Sequence, residues 1–259
     1  MIKVKLGLNS FYLPTKWEGL KGSQVLPITR YLLQDTPENR IGIIKAFMPE
    51  STRQLFPLMS AEQLYEITRH VSWMYTQPMN MPFFECVKLN DKDYCLPKGV
   101  LDTTTLLEYA YAVTYFEAVK NGDLSKLPYL TATLVREKRT DMEPEDIDYD
   151  GDTRKPFNPA HIEARAKKML NASIEFQLFV LIYFSACQKT LKEKYATSGF
   201  FNEGEASANT AGFAGLIWDL ANGLVNEKAI AEKNIHHVMA YASHIAAKTA
   251  QRNAVPESV

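Results

Sequence analysis

The sequence predicts a mainly α-helical protein with a small antiparallel β-sheet, an α+β fold in which a three-stranded sheet lies at one end of a helical core. Three observations carry this. Apolar residues recur at three- and four-residue spacing through most of the chain, the period of a helix with one buried face. Alternation at period two appears at the N-terminus, where Ile2, Val4, Leu6 and Leu8 oppose Lys3 and Lys5. FFECVKL and DYCLP flank Asn90-Asp91-Lys92-Asp93, which reads as two strands around a turn. Residues 2–8, 83–89 and 93–97 are the expected sheet, because a lone hairpin is marginal in water.

The helices follow in order. Val25, Ile28, Leu32 and Leu33 share a face, with Pro27 forcing the helix to begin or kink there. Thr36-Pro37 is a cap followed by a first-turn proline, opening a helix with Ile41, Ile44, Phe47 and Met48 on one side, stopped by Pro49. Ser60 caps a third, carrying Leu64, Ile67, Val71 and Met74 towards Pro78. Leu106, Leu107, Tyr109 and Tyr111 begin another, and residues 126–135 a further one. Asn158-Pro159 again reads as cap then proline, and the pattern runs, with a break near 171–173, to about Lys194. The order strand, Leu-Pro, loop, helix occurs at Leu13-Pro14 and again at Leu96-Pro97, a weak internal echo.

These signals divide the chain into a main helical body with its sheet over 1–196, a Ser/Gly/Asn/Ala-rich flexible connection over 197–210, a helical arm over 211–250 and a frayed tail over 251–259. The arm holds two predicted helices. Phe213, Leu216, Ile217 and Leu220 stripe the first; Ile235, Val238, Met239, Ala242 and Ile245 stripe the second. Isolated helices are marginal until their apolar faces are covered, so these nine residues are the candidate protein–protein interface, with docking on the chain's own body as the alternative.

Composition excludes several classes. The chain has 259 residues, with 29 basic and 30 acidic side chains and a net charge of −1, so it lacks the cationic excess of a dedicated nucleic-acid binder. Its longest apolar run, Leu178 to Cys187, is about half the ~20 residues a membrane span needs and reads as a buried helix. The N-terminal MIKVK lacks the apolar core of a signal peptide. The expectation is a soluble protein.

Candidate chemistry is sparse. Asp146-Ile147-Asp148-Tyr149-Asp150-Gly151 matches the first half of a calcium loop, but the twelfth position, which calls for a bidentate Glu, is Phe157; a solvated acidic loop is the simpler reading. His237 and His244 lie two helical turns apart with no ligand between them, and His236 points elsewhere. With a turn at Asp91-Lys92, Cys95 faces Lys88 and Cys86 faces Pro97, a diagonal placement in which a disulfide would strain. No phosphate loop, dinucleotide fingerprint, nucleophile elbow or zinc-protease pair is present, so no catalytic residue, cofactor or metal is assigned.

Four ordered segments carry a resemblance: Leu13-Pro14-Thr15-Lys16-Trp17-Glu18-Gly19-Leu20; Tyr94-Cys95-Leu96-Pro97 with Leu107-Glu108-Tyr109; Leu127-Pro128-Tyr129-Leu130-Thr131-Ala132-Thr133-Leu134-Val135-Arg136; and Phe157-Asn158-Pro159 through Glu163-Ala164-Arg165-Ala166. Over roughly residues 11–190 the chain resembles a family of uncharacterised proteins from structural and tail-assembly modules of tailed bacteriophages and prophages of the Bacteroidota. The resemblance implies a non-enzymatic virion or morphogenesis protein, most plausibly a ring or adaptor component of the neck or tail. It implies a homo-oligomer among other phage structural or assembly proteins, with no membrane and no specific nucleic acid, located in the virion after assembly in the host cytoplasm. A tail-assembly chaperone binding a tape-measure protein is the nearest alternative, and a phage hydrolase or host-takeover factor a further one.

Overall fold

A computed structural model describes residues 1–6, 8–81, 83–89, 91–142, 145–147, 149–196 and 226–254, with 249–254 described by backbone course alone. It is mainly α with two small antiparallel sheets, one of two strands and one of three. β1 (Ile2–Leu6) pairs with β2 (Asn9–Leu13), placing Val4 opposite Phe11 and Ile2 opposite Leu13 on the core side. Leu8, expected within the first strand, is fully exposed at the turn. The N-terminal strand therefore does not join the second hairpin. Its partner is the segment before Leu13-Pro14, held extended because the residue before a proline avoids the helical region.

The short helices α1 (Gly22–Val25), α2 (Pro37–Phe47), α3 (Glu50–Arg53), α4 (Ala61–Arg69) and α5 (Trp73–Thr76) make the first half of the body, with a 3-10 stretch over Leu26–Leu33 where Pro27, lacking an N–H, cannot continue α1. Thr36 and Ser60 cap as their positions predict: Asn39 N donates to Thr36 Oγ1 and Gln63 N to Ser60 Oγ. Trp17 and Trp73 meet edge-on at 4.9 Å, and each indole N–H is satisfied by a backbone carbonyl, Gln77 and Pro14 respectively. Gly22 is a packing requirement, since a Cβ there would lie 1.7 Å from the Phe84 ring.

β3 (Cys86–Leu89) and β4 (Lys92–Cys95) form the second hairpin, and β4 pairs on its other side with β5 (Arg136–Glu137). The third strand of this sheet is thus a short segment leaving a helix, not the N-terminus. The register also corrects the expected one. The loop lies between Leu89 and Lys92, with Asp91 at φ 61°, a conformation that Asp tolerates better than most residues. That two-residue shift puts Cys86 directly opposite Cys95, and the two form a disulfide instead of sitting on a diagonal. Cys187 is the remaining free cysteine, and it is buried. Titration of air-purified chain with a thiol reagent should therefore give no fast-reacting group when native, one after unfolding and three after unfolding with reductant; three without reductant would disprove the pairing.

The second half is four helices: α6 (Leu106–Lys120), α7 (Leu127–Leu134), α8 (Ile162–Met169) and α9 (Ile174–Lys194). α7 packs against α6, α8 and α9. Its interior is buried on every side: Leu130, Thr131, Ala132, Thr133 and Leu134 are all fully covered. The hydroxyls of Thr131 and Thr133 are satisfied by the carbonyls four residues back, Leu127 and Tyr129. α10 (Glu227–Ala231) and α11 (Ile235–Ala254) close the described chain. No described helix is long and apolar enough to cross a membrane.

Candidate functional site

The segment between β4 and α6, residues 96–105, is where the parts of the molecule meet. It carries Gly99 at φ 51° and, unusually for a side chain of its size, fully buried Leu101 at φ 64°. Two helices, α9 and α11, hold it there. From α9, the Tyr183 hydroxyl donates to Gly99 O at 3.0 Å. From α11, His236 Nε2 lies 2.9 Å from Val100 O and 3.2 Å from Asp102 Oδ1. Both neighbours are acceptors, so Nε2 carries the proton and, in the neutral ring, Nδ1 accepts from the Tyr195 hydroxyl at 2.9 Å. The backbone adds a short antiparallel bridge: Leu106 N donates to Lys233 O at 2.8 Å and Ile235 N to Thr104 O at 2.9 Å.

This clamp decides the fate of the candidate interface. Ile235, Val238 and Met239 are buried in the chain's own core, and α11 contacts α6. For those three residues intramolecular packing replaces the expected exposure to a partner. Ala242 is half-buried, whereas Ile245 is 42% exposed and Tyr241 56% exposed, so the same helix passes from core to open surface within two turns. Phe213, Leu216, Ile217 and Leu220 lie outside the described residues. His237 is exposed.

Beneath the clamp lies a buried cluster of two guanidiniums and two carboxylates, contributed by α6 (Glu108), β5 (Arg136) and the returning chain (Asp152 and Arg154). Arg154 has no exposed surface. Its Nη1 donates to Glu108 Oε1 at 2.7 Å and Leu134 O at 2.8 Å, its Nε to Asp152 Oδ1 at 2.8 Å, and its Nη2 to Asp152 Oδ2 at 2.9 Å and Thr103 O at 3.0 Å. Arg136 Nη2 donates to Glu108 Oε2 at 3.0 Å and Asp152 Oδ2 at 2.8 Å, and its Nη1 to Lys155 O. Charges of +2 and −2 cancel, which is the condition under which buried ions are tolerated. Burial pushes the Arg136 guanidinium down to about 10, with Glu108 and Asp152 pulling it back, so it stays protonated at neutral pH. Burial acts on Arg154 too, but its two carboxylate partners outweigh it and hold the guanidinium above its ordinary value. The difference follows from geometry: Arg154 bonds to both oxygens of both carboxylates, Arg136 to one oxygen of each.

Part of the acidic loop has structural partners beside the cluster. Asp150 Oδ1 accepts from the Asp152 backbone N–H at 3.0 Å and from Arg139 Nη1 at 3.3 Å, and Asp141 lies 3.6 Å from Arg139 Nε. Asp141 and Asp150 thus face a guanidinium and a backbone donor, while Asp148 of the calcium-like pattern lies outside the described residues. Among the described residues no three His, Cys, Asp or Glu side chains gather at metal-ligand distance.

Buried tyrosines and the free thiol make stability sensitive to alkali. Burial pushes Cys187 up to about 12 and raises Tyr109 and Tyr183 well above the ordinary phenol value. A group whose acid form is favoured in the folded state contributes stability that is complete below its unfolded pKa and lost as pH rises through the folded one. Arg136 and Arg165, both lowered by burial, act in the opposite sense, but burial raises Tyr75 and Tyr115 as well, so the raised acids outnumber them. Each contributes up to about 1.4 kcal/mol per pH unit over which the two states differ. Urea midpoints should fall steeply between pH 9 and pH 11; a flat profile would contradict the burial of these groups.

A third feature has no counterpart in the sequence reading: an open apolar groove of about 550 Å³ between α9, the end of α6 and the first half of the body. Leu178, Leu181 and Ile182 form its floor, with Phe116 and Val119 on one side and Met74 on the other. Compared with family models, curated proteins and solved structures, the chain matches none of them.

Proposed function

We propose that this chain is a non-enzymatic morphogenesis protein of a tailed bacteriophage, a ring or adaptor component of the neck or tail that assembles with copies of itself and with other virion proteins. One observation carries the reading on the structural side. α11 is anchored by its first two turns in the chain's own core, while its continuation presents Tyr241 and Ile245 to solvent. A helix fixed at one end that carries exposed apolar side chains further along is suited to a subunit contact. The use of the ionisable groups agrees. Glu108, Asp152, Arg136 and Arg154 pair with one another, and Cys86 and Cys95 are bonded together. The phage assignment itself rests on the ordered segments from Leu13 to Ala166.

The open groove favours a second reading, a tail-assembly chaperone that holds an apolar segment of another protein during assembly. Deleting the gene from a phage that carries it tests the shared claim. Infectious particles should be lost and unjoined heads, or stalled tails, should accumulate in electron micrographs. A normal titre of normal particles would overturn both readings.

A further inference from the structure

We propose that the groove between α9 and α6 is a docking site for an amphipathic α-helix of a partner polypeptide, one that carries acidic side chains flanking its apolar stripe. α9 is apolar on nearly all sides, and such a helix needs cover on all sides. One flank has it: Phe176, Phe179, Val180, Tyr183 and Phe184 are buried in the core. The opposite flank does not. Leu178, Leu181 and Ile182 are only half-covered and Ser185 is exposed, so the intramolecular fold leaves a lengthwise strip open.

The shape fits a helix better than a compact ligand. From Leu178 to Lys189 the strip runs about 17 Å at 1.5 Å per residue, the length of three helical turns. Leu33 and Leu124, 52% and 68% exposed, rise at its edges as apolar walls. The partner's apolar positions would recur at three- and four-residue spacing to fill it.

Charge sets the partner's sign. Lys120, from the last turn of α6, and Lys189, from α9, line the same groove, and both are exposed. Lys120 has a loose contact with its own Glu117 at 3.4 Å, and Lys189 has no carboxylate partner among the described residues. An apolar strip with two ammonium groups at its rim selects a helix with carboxylates beside its stripe and disfavours one with lysines there.

The inference rests on the reading of the chain as a binding protein, which the gene deletion tests separately; if that deletion blocks assembly while the groove tests negative, the docking proposal alone falls. The probe is a fluorescent helical peptide of about 14 residues, enough for three turns plus ends, with a leucine stripe flanked by two Glu, one towards each end. Its control carries two Lys in place of the Glu. Fluorescence anisotropy with the full chain at low salt should show the acidic peptide binding about tenfold more tightly than the basic one. The double substitution Lys120→Glu, Lys189→Glu should reverse the preference, and Leu124→Ser should weaken both peptides, all without a change in thermal midpoint. Equal binding of the two peptides, no binding of either, or a preference untouched by charge reversal would overturn the proposal. So would a photo-crosslinker at position 124 that joins to residues 197–225 of the same chain or to a second copy.

Discussion

Replacing Arg154 with methionine should lower the thermal midpoint of the chain by about 10 °C. Methionine fills the space but leaves Glu108 and Asp152 with only Arg136 to answer two negative charges, that of Glu108 fully buried. Removing one partner from a buried ionic group costs about 3–5 kcal/mol, because the remaining charge keeps its desolvation penalty and loses its compensation. The double variant Glu108→Gln, Arg154→Met restores neutrality around Arg136 and Asp152 and should recover at least half of the loss. Such recovery is the signature of coupling within one network, and additive losses from the two single substitutions would show that the groups do not share a buried site.

The two halves of α11 should behave as different objects. Met239→Ala removes a fully buried side chain from the contact with α6 and should cost about 2–5 kcal/mol. Ending the chain after Lys233 should cost more, since it also removes Ile235, Val238 and the His236 tie to Val100 and Tyr195. Ile245→Asp, two turns further on, alters an exposed position and should change folding stability by no more than about 0.5 kcal/mol. Yet it places a charge in the stripe offered to a neighbour, so self-association measured by light scattering should fall. Loss of folding with Ile245→Asp, or unaltered stability with Met239→Ala, would place the division between core and surface elsewhere on the helix.

What could be read from the sequence was what is local. Thr36, Ser60 and Asn158 each satisfy a backbone N–H two or three residues ahead and mark the helix starts their positions predict, and Ser173 does the same within the expected break. The break near 171–173 is where α8 and its following turn give way to α9. Pairings between distant segments were not legible. Arg136-Glu137 is too short to show a strand period, so the third strand was assigned to the N-terminus. A turn displaced by one residue changes the cross-strand pairing by two, which separated Cys86 from Cys95 on paper. The stripe of α11 was read correctly as apolar, but periodicity does not say which neighbour covers it. The ion cluster did leave one trace: Glu108 stands between Leu107 and Tyr109 on the buried side of a helix, where a carboxylate requires a cation. Its partners come from 28 and 46 residues away, and no spacing rule connects them. The groove is likewise a property of three packed elements and of no single segment.

The claim that this chain is an assembly protein of a tailed phage is tested most directly by quantitative mass spectrometry of purified particles and of stalled assembly intermediates. The account predicts the chain in finished particles at a fixed number of several copies each, in constant ratio to the tail proteins. Absence from both the particles and the intermediates would contradict it.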